Sequence, residues 1–199
     1  MEIVLRLILL LLALLATAAC DRQNANAPQG EVAGAAPAGA GEQDKGLDRS
    51  HRGQRAPDVA FHDPDGGDMT LADFHGVPLL VNLWASWCAP CIKELPTLAS
   101  LEQQQIASGQ MGVIAVSQDM APKASVDAFL ADKGLGRFAA FHDPKMALSG
   151  ALGAQILPTT LLYDRDGREV WRFVGDLDWT GAEASKLLAE AGDGSAKPR

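Results

Sequence analysis

Two of the chain's three cysteines, Cys88 and Cys91, bracket Ala89 and Pro90, while the third, Cys20, lies far upstream. A pair so close together is a poor structural staple, because the stabilisation from a cross-link grows with the length of chain it closes. It suits reversible chemistry better. Two vicinal thiols can carry two electrons by thiol-disulfide exchange, one attacking a partner disulfide and the other resolving the mixed disulfide that forms. Half of a zinc site is the alternative use. Four-coordinate zinc needs further thiolates or imidazoles, and the sequence has no second Cys-x-x-Cys and no paired His motif.

The elements around the pair must hold the two sulfurs unequally. Val77 to Ala85 is nearly continuous in apolar residues, as expected of a central strand covered on both faces. A helix is expected to open near Cys88 and run to about Gln105, with Pro90 in its permitted first turn and a kink at Pro96. Cys88 then sits where free amides and the helix dipole favour a thiolate, and Cys91 lies one turn deeper. Glu94 falls three residues beyond Cys91 on the same helical face. No Lys or Arg stands at 90, 91, 97 or 98 to pair with it, so it is a candidate for moving a proton to or from Cys91, its carboxyl rising if it is partly buried. The competing reading is a solvated surface glutamate. Asn82 faces the interior of the central strand and must find hydrogen-bond partners there.

The remaining pattern reads as alternating elements. Pro57 to Phe61 is a short strand turned back by Asp63-Pro64-Asp65-Gly66-Gly67, Met111 to Ser117 a buried strand, and Ser125 to Lys133 a helix. Phe138 to Phe141 is a strand, Met146 to Leu152 a helix, and Thr159 to Tyr163 with Glu169 to Val174 a hairpin through Asp164-Arg165-Asp166-Gly167; Ala182 to Ala191 closes as a helix. The order implies a mixed α/β sheet with helices on both faces. Phe-His-Asp-Pro occurs twice, at Phe61 to Pro64 and at Phe141 to Pro144. Turn chemistry accounts for both copies; a duplicated unit or a metal site using His62 and His142 is the alternative.

Trp84-Ala85-Ser86-Trp87 running into Cys88-Ala89-Pro90-Cys91 resembles the thioredoxin superfamily. Asn82, Ile92-Lys93-Glu94-Leu95-Pro96, Leu157-Pro158-Thr159-Thr160, the Asp164 to Gly167 turn, Gly175 and Trp179 narrow the resemblance to the exported TlpA/ResA/DsbE-like reductases, over about Ala56 to Ala191. The resemblance implies a thioredoxin fold with an N-terminal strand or hairpin extension. It implies that Pro158 follows a cis peptide bond, lies against the dithiol and hinders metal capture. It further implies a substrate groove with Trp87 as one wall and with Ala89, Pro90 and Leu157 in its lining. Many thioredoxins carry an acid where Asn82 stands, so proton handling is sought at Glu94.

The chain's ends bear on its compartment. Arg6 and the apolar run Leu7 to Ala19 suit a secretory signal, the run being short of the roughly 20 residues of a membrane span. The run ends in Thr17-Ala18-Ala19-Cys20, which resembles the site where bacterial lipoproteins are cut and lipidated. The expected organisation is a signal peptide over 1–19, a lipid on Cys20 and a flexible Ala/Gly/Pro tether to residue 55, then the folded domain over 56–192 and a disordered tail over 193–199. Asp21 favours retention at the periplasmic face of the inner membrane. An uncleaved anchor and simple secretion are the other outcomes.

With 17 Lys and Arg against 25 Asp and Glu, a net charge of −8 and no basic cluster, nucleic acid is not an expected partner. No cofactor and no metal are expected. The anticipated activity is reduction of disulfides in exported proteins. The resemblance suggests apocytochrome c or the cysteines of an oxidase copper site as substrates, with electrons from a membrane dithiol donor. A copper-binding chaperone using the thiols as ligands is the rival, and an inert disulfide the third possibility.

Overall fold

The computed structural model describes residues 46–192. The expected signal peptide, Cys20, the tether as far as residue 45 and the tail 193–199 lie outside the described residues. Within them, strands β1 (Leu47–Asp48), β2 (Phe61–His62), β3 (Asp68–Met69), β4 (Leu79–Trp84), β5 (Gly112–Ser117), β6 (Ala140–His142), β7 (Thr159–Tyr163) and β8 (Glu169–Val174) form one sheet in the order β1-β8-β7-β4-β5-β6-β2-β3. β4, β5 and β6 are parallel and the other pairings antiparallel. The helices are α1 (Ala89–Ser108), α2 (Lys123–Asp132), α3 (Ala147–Leu152) and α4 (Ala182–Ala189).

All six residues of β4 are buried, because both faces of the sheet are covered. Leu80 and Trp84 point to one face, where Leu95 and Leu98 of α1, Val126 and Leu130 of α2, and Ala184 and Leu187 of α4 pack. Val81 and Leu83 point to the other, against Leu71 and against Leu148 and Leu152 of α3. Each such side chain withdrawn from water contributes roughly 1.5–3 kcal/mol, so strand register is strongly specified by the two apolar layers. The mixed α/β sheet with helices on both faces and an N-terminal hairpin is the architecture expected.

Several boundaries differ from expectation. The folded unit begins earlier than residue 56: Leu47 and Asp48 pair with Phe173 and Arg172, the Gly46 carbonyl accepts the Val174 amide (2.7 Å), and Gly53 N–H donates to the Glu169 carbonyl (2.7 Å). This segment docks mainly through backbone hydrogen bonds and an Arg49–Glu190 ion pair, so its apolar pattern carries almost no sign of it. The strand expected over Pro57–Phe61 forms only at Phe61–His62, because 57–60 find no ladder partner while Ala56 N–H bonds to the Gly167 carbonyl. β6 is shifted to Ala140–His142 and α2 starts at Lys123; the last helix stops at Ala189 and tightens into a 3-10 turn over Glu190–Gly192. α1 runs unbroken through Pro96 to Ser108 and ends at Gly109, whose φ of 65° is the left-handed cap that glycine favours.

Candidate active site

α1 begins at the dithiol. Cys88 is its N-cap residue, with extended backbone, and the Cys91 amide donates to Cys88 Sγ across 3.3 Å. One amide of the helix start is thus aimed at the sulfur that would carry negative charge. The two cysteines are joined as a disulfide. Cys88 keeps 6% of its surface exposed and Cys91 none. Attack from outside can reach only the first sulfur.

The segment leading into the helix is pinned from the adjacent strand. Asp119, just past β5, accepts Ser86 N–H at 2.9 Å, the Ser86 hydroxyl at 2.6 Å and the Ser117 hydroxyl at 2.6 Å. The Asp119 carbonyl in turn meets Nε2 of buried His142 at 2.9 Å. This anchoring leaves Trp87 65% exposed beside Cys88. Trp87, Cys88, Ala89, Pro90 and Leu157 line a groove of about 390 Å³ together with Met146, Ser149, Ala154 and Gln155. The Leu157–Pro158 peptide is cis. Pro158 is not itself among the groove-lining residues; its carbonyl accepts the Gly175 amide at 3.0 Å.

Glu94 is not a surface residue. It is 2% exposed, on the face of α1 turned to the sheet. Its Oε1 accepts Asn82 Nδ2 at 2.8 Å, and its Oε2 accepts Leu177 N–H at 3.1 Å and Trp179 Nε1–H at 3.0 Å. Burial pushes the carboxyl up to about 7, against the lowering effect of these three donors and with a further upward push from Asp176. Gly175, at φ 113°, takes a backbone conformation that side chains resist, just before Leu177 reaches Glu94. Asn82 finds its partners in Glu94 and in Thr160, whose Oγ1 accepts the same amide nitrogen at 2.9 Å.

The structure therefore brings Cys88, Cys91, Glu94, Trp87, Ala89, Pro90 and Leu157 to one end of the sheet. Residue types alone did not point to Met146, Ser149, Ala154 and Gln155 as groove lining, since they come from α3 and the residues flanking it, distant in sequence from the dithiol. Asp119 was readable only as part of the polar Ser117-Gln118-Asp119 run ending an apolar strand. A second buried acid, Glu102, was also missed; burial pushes it up to about 7, opposed by a hydrogen bond from the Ala139 amide. Its spacing of four from buried Leu98 was the available signal.

The repeated tetrapeptide proves to be a pairing of strand ends. His62 stands opposite His142 between β2 and β6, Phe61 meets Phe141 edge-on at 6.1 Å, and the two imidazole centroids are 6.4 Å apart. Asp63 accepts the Asp65 and Gly67 amides of the turn that follows it, and Asp143 accepts the Ala147 and Leu148 amides at the start of α3. Among the described residues no group of three or more His, Cys, Asp or Glu side chains could hold a metal ion, and no helix is long and apolar enough to cross a membrane.

The Redoxin family matches residues 51–189. The thiol-disulfide oxidoreductase ResA of Bacillus thuringiensis is 32% identical over 124 residues, covering 62% of this chain and 70% of its own length. ResA of Geobacillus thermodenitrificans is 33% identical over 116 residues, covering 58% and 65%. Among solved structures, a protein of Chlorobium tepidum assigned as thiol:disulfide interchange protein DsbE superposes with a TM-score of 0.62 at 28% identity, over 70% of this chain and 96% of that one.

Proposed function

Because this chain belongs to the Redoxin family, and within it to the ResA/DsbE-like thiol-disulfide oxidoreductases, we propose that it reduces disulfides of exported proteins at the periplasmic face of the inner membrane. The observation that carries this direction of attack is the contrast between Cys88, open to the groove and facing the Cys91 amide, and fully buried Cys91. In the reduced protein the Cys88 thiolate attacks one sulfur of a substrate disulfide. A Cys88–substrate disulfide forms and the other substrate sulfur leaves, taking up a proton. Cys91 then gives up its proton and attacks Cys88 Sγ, expelling the second substrate thiol and closing the Cys88–Cys91 disulfide. Two electrons pass to the substrate, and a membrane dithiol donor restores the thiols.

Glu94 acts as the proton partner of Cys91. A carboxyl near 7 is half ionised at neutral pH, so it can receive the proton that Cys91 releases and return it on re-reduction. Trp87, Ala89, Pro90 and Leu157 hold an extended substrate segment in the groove, and Pro158 acts on it through its neighbour Leu157. Cys20 carries the lipid that tethers the domain. The substrate class is apocytochrome c thiols or an oxidase copper site during assembly.

Trapping tests the division of labour. Cys91→Ser should accumulate reducible adducts through Cys88, identifiable by mass spectrometry, and Cys88→Ser should accumulate far fewer. Equal trapping by both variants would contradict the assignment. Absence of adducts from either, with tight copper(I) binding by the reduced protein, would favour the metal-chaperone reading.

A further inference from the structure

The Asn82 side chain is fully buried, yet its hydrogen bonds are all made at one end. Nδ2 donates to Glu94 Oε1 at 2.8 Å and to Thr160 Oγ1 at 2.9 Å, whereas Oδ1 is buried with no partner among the described residues. Asn82 and Thr160 are direct cross-strand neighbours of β4 and β7, so both project to the face on which α1 lies. A native structure rarely leaves a buried amide oxygen idle, and such an atom calls for an explanation.

The other oxygen of Glu94 narrows what that explanation can be. Oε2 faces Leu177 N–H and Trp179 Nε1–H, two donors with no capacity to accept. A proton arriving at Glu94 therefore belongs on Oε1, the oxygen that meets Asn82. The titratable groups around Glu94 are Cys91, a turn earlier on α1, and Asp176, which is paired with Lys93 at 2.6 Å. β4 and β7 face it with the neutral Asn82 and Thr160.

We propose that Asn82 is a positioning residue whose amide turns over with the protonation of Glu94, offering N–H groups to the carboxylate and its oxygen to the carboxylic acid. After the turn, Oδ1 occupies the present place of Nδ2 and accepts both from Glu94 Oε1–H and from the Thr160 hydroxyl, which can donate as readily as it accepts. The two N–H groups then take the opposite end of the amide, where no partner sits among the described residues, so both give up their acceptors and the turned state holds only while Glu94 keeps its proton. One residue thereby satisfies Glu94 in both of its charge states. An aspartate here would serve only the acid, since a carboxylate has no proton to give the ionised form. The inference rests on reading Glu94 as a titrating group of this site.

The disulfide form of the wild-type protein gives the direct test, because its cysteines do not titrate. The two Asn82 Nδ2 proton resonances and the Glu94 carboxyl carbon are followed by NMR from about pH 5 to about pH 9. Both amide protons should move upfield together on acidification, each losing an acceptor, with the midpoint of the Glu94 carbon. Movement of the Glu94-facing proton alone, or of neither, overturns the proposal. In Glu94→Gln both should stay constant across the range; persistent shifts would also overturn it. In Asn82→Leu, which keeps size but removes the amide, the Glu94 midpoint should rise by about one unit, and the pH profile of thiol exchange should move with it. An unmoved midpoint counts against the proposal. The parent reading fails separately: if Glu94→Gln leaves the Cys91 titration of the reduced protein unchanged while the wild-type amide still turns over, Glu94 is not the proton partner of Cys91.

Discussion

The indole N–H of Trp179 donates to the Glu94 carboxylate across 3.0 Å, although 85 positions separate the two residues. Burial alone would leave this acid strongly disfavouring its charge, and the indole is one of three donors that pull it back toward the neutral range. Trp179→Phe keeps an aromatic ring and removes the donor. The midpoint of Glu94 should rise above about 7, and the rate of exchange at neutral pH should fall by about tenfold at most, with the deficit recovered at higher pH. A Cys91 titration and a pH–rate profile for the variant check this; curves that overlay the wild type would show the indole to be structural only.

Glu94 and Glu102 also make stability depend on pH in a direction opposite to most paired carboxylates. Both hold their proton to about 7 in the folded chain, against 4.5 for an unperturbed glutamate. Between these values the folded state binds protons that the unfolded state has released, so stability is greatest at the acidic end and falls as pH rises through about 7. Each acid contributes roughly 1–3 kcal/mol to that fall. Glu102→Gln should flatten the curve and raise Tm above neutral pH without altering the thiol titrations. A Tm profile that stays as steep as that of the wild type would remove Glu102 from the account.

Asp119 gathers three donors, two of them from Ser86. Asp119→Ala strands the half-buried Ser86 groups and the buried Ser117 hydroxyl and should cost roughly 1–3 kcal/mol. The loss should also loosen the segment that presents Trp87 and Cys88. Exchange with a protein substrate is therefore expected to suffer more than exchange with a small disulfide, and steady-state kinetics on the two substrates tell the effects apart. Equal losses on both would mean that only stability has changed.

Lipid attachment at Cys20 is read from Thr17-Ala18-Ala19-Cys20. Cys20→Ser should abolish incorporation of labelled fatty acid and release the protein from the membrane fraction, while leaving the Cys88–Cys91 couple active in solution. Unchanged labelling would place the anchor elsewhere.

What was legible from the chain itself was local. A Cys-x-x-Cys with proline in a permitted first turn declares a helix start, and an Asp-Arg-Asp-Gly turn between two β-branched and aromatic runs declares a hairpin. β7 and β8 accordingly lie at Thr159–Tyr163 and Glu169–Val174 as expected. Helical spacing alone put Glu94 on the face of Cys91. Spacing cannot say what meets a side chain from another element, and here the outcome turned on that. Whether Glu94 is solvated or enclosed was decided by Asn82 from β4 and by Leu177 and Trp179 from the segment after β8. Whether two Phe-His-Asp-Pro copies mean anything together was decided by the pairing of β2 with β6. Residues 46–55, polar and patternless, were drawn into the fold by backbone hydrogen bonds to an open strand edge, which any side chain permits and none announces. Turns and helix starts are set by neighbours a few bonds away; burial, pKa and edge pairing depend on which distant groups exclude the water.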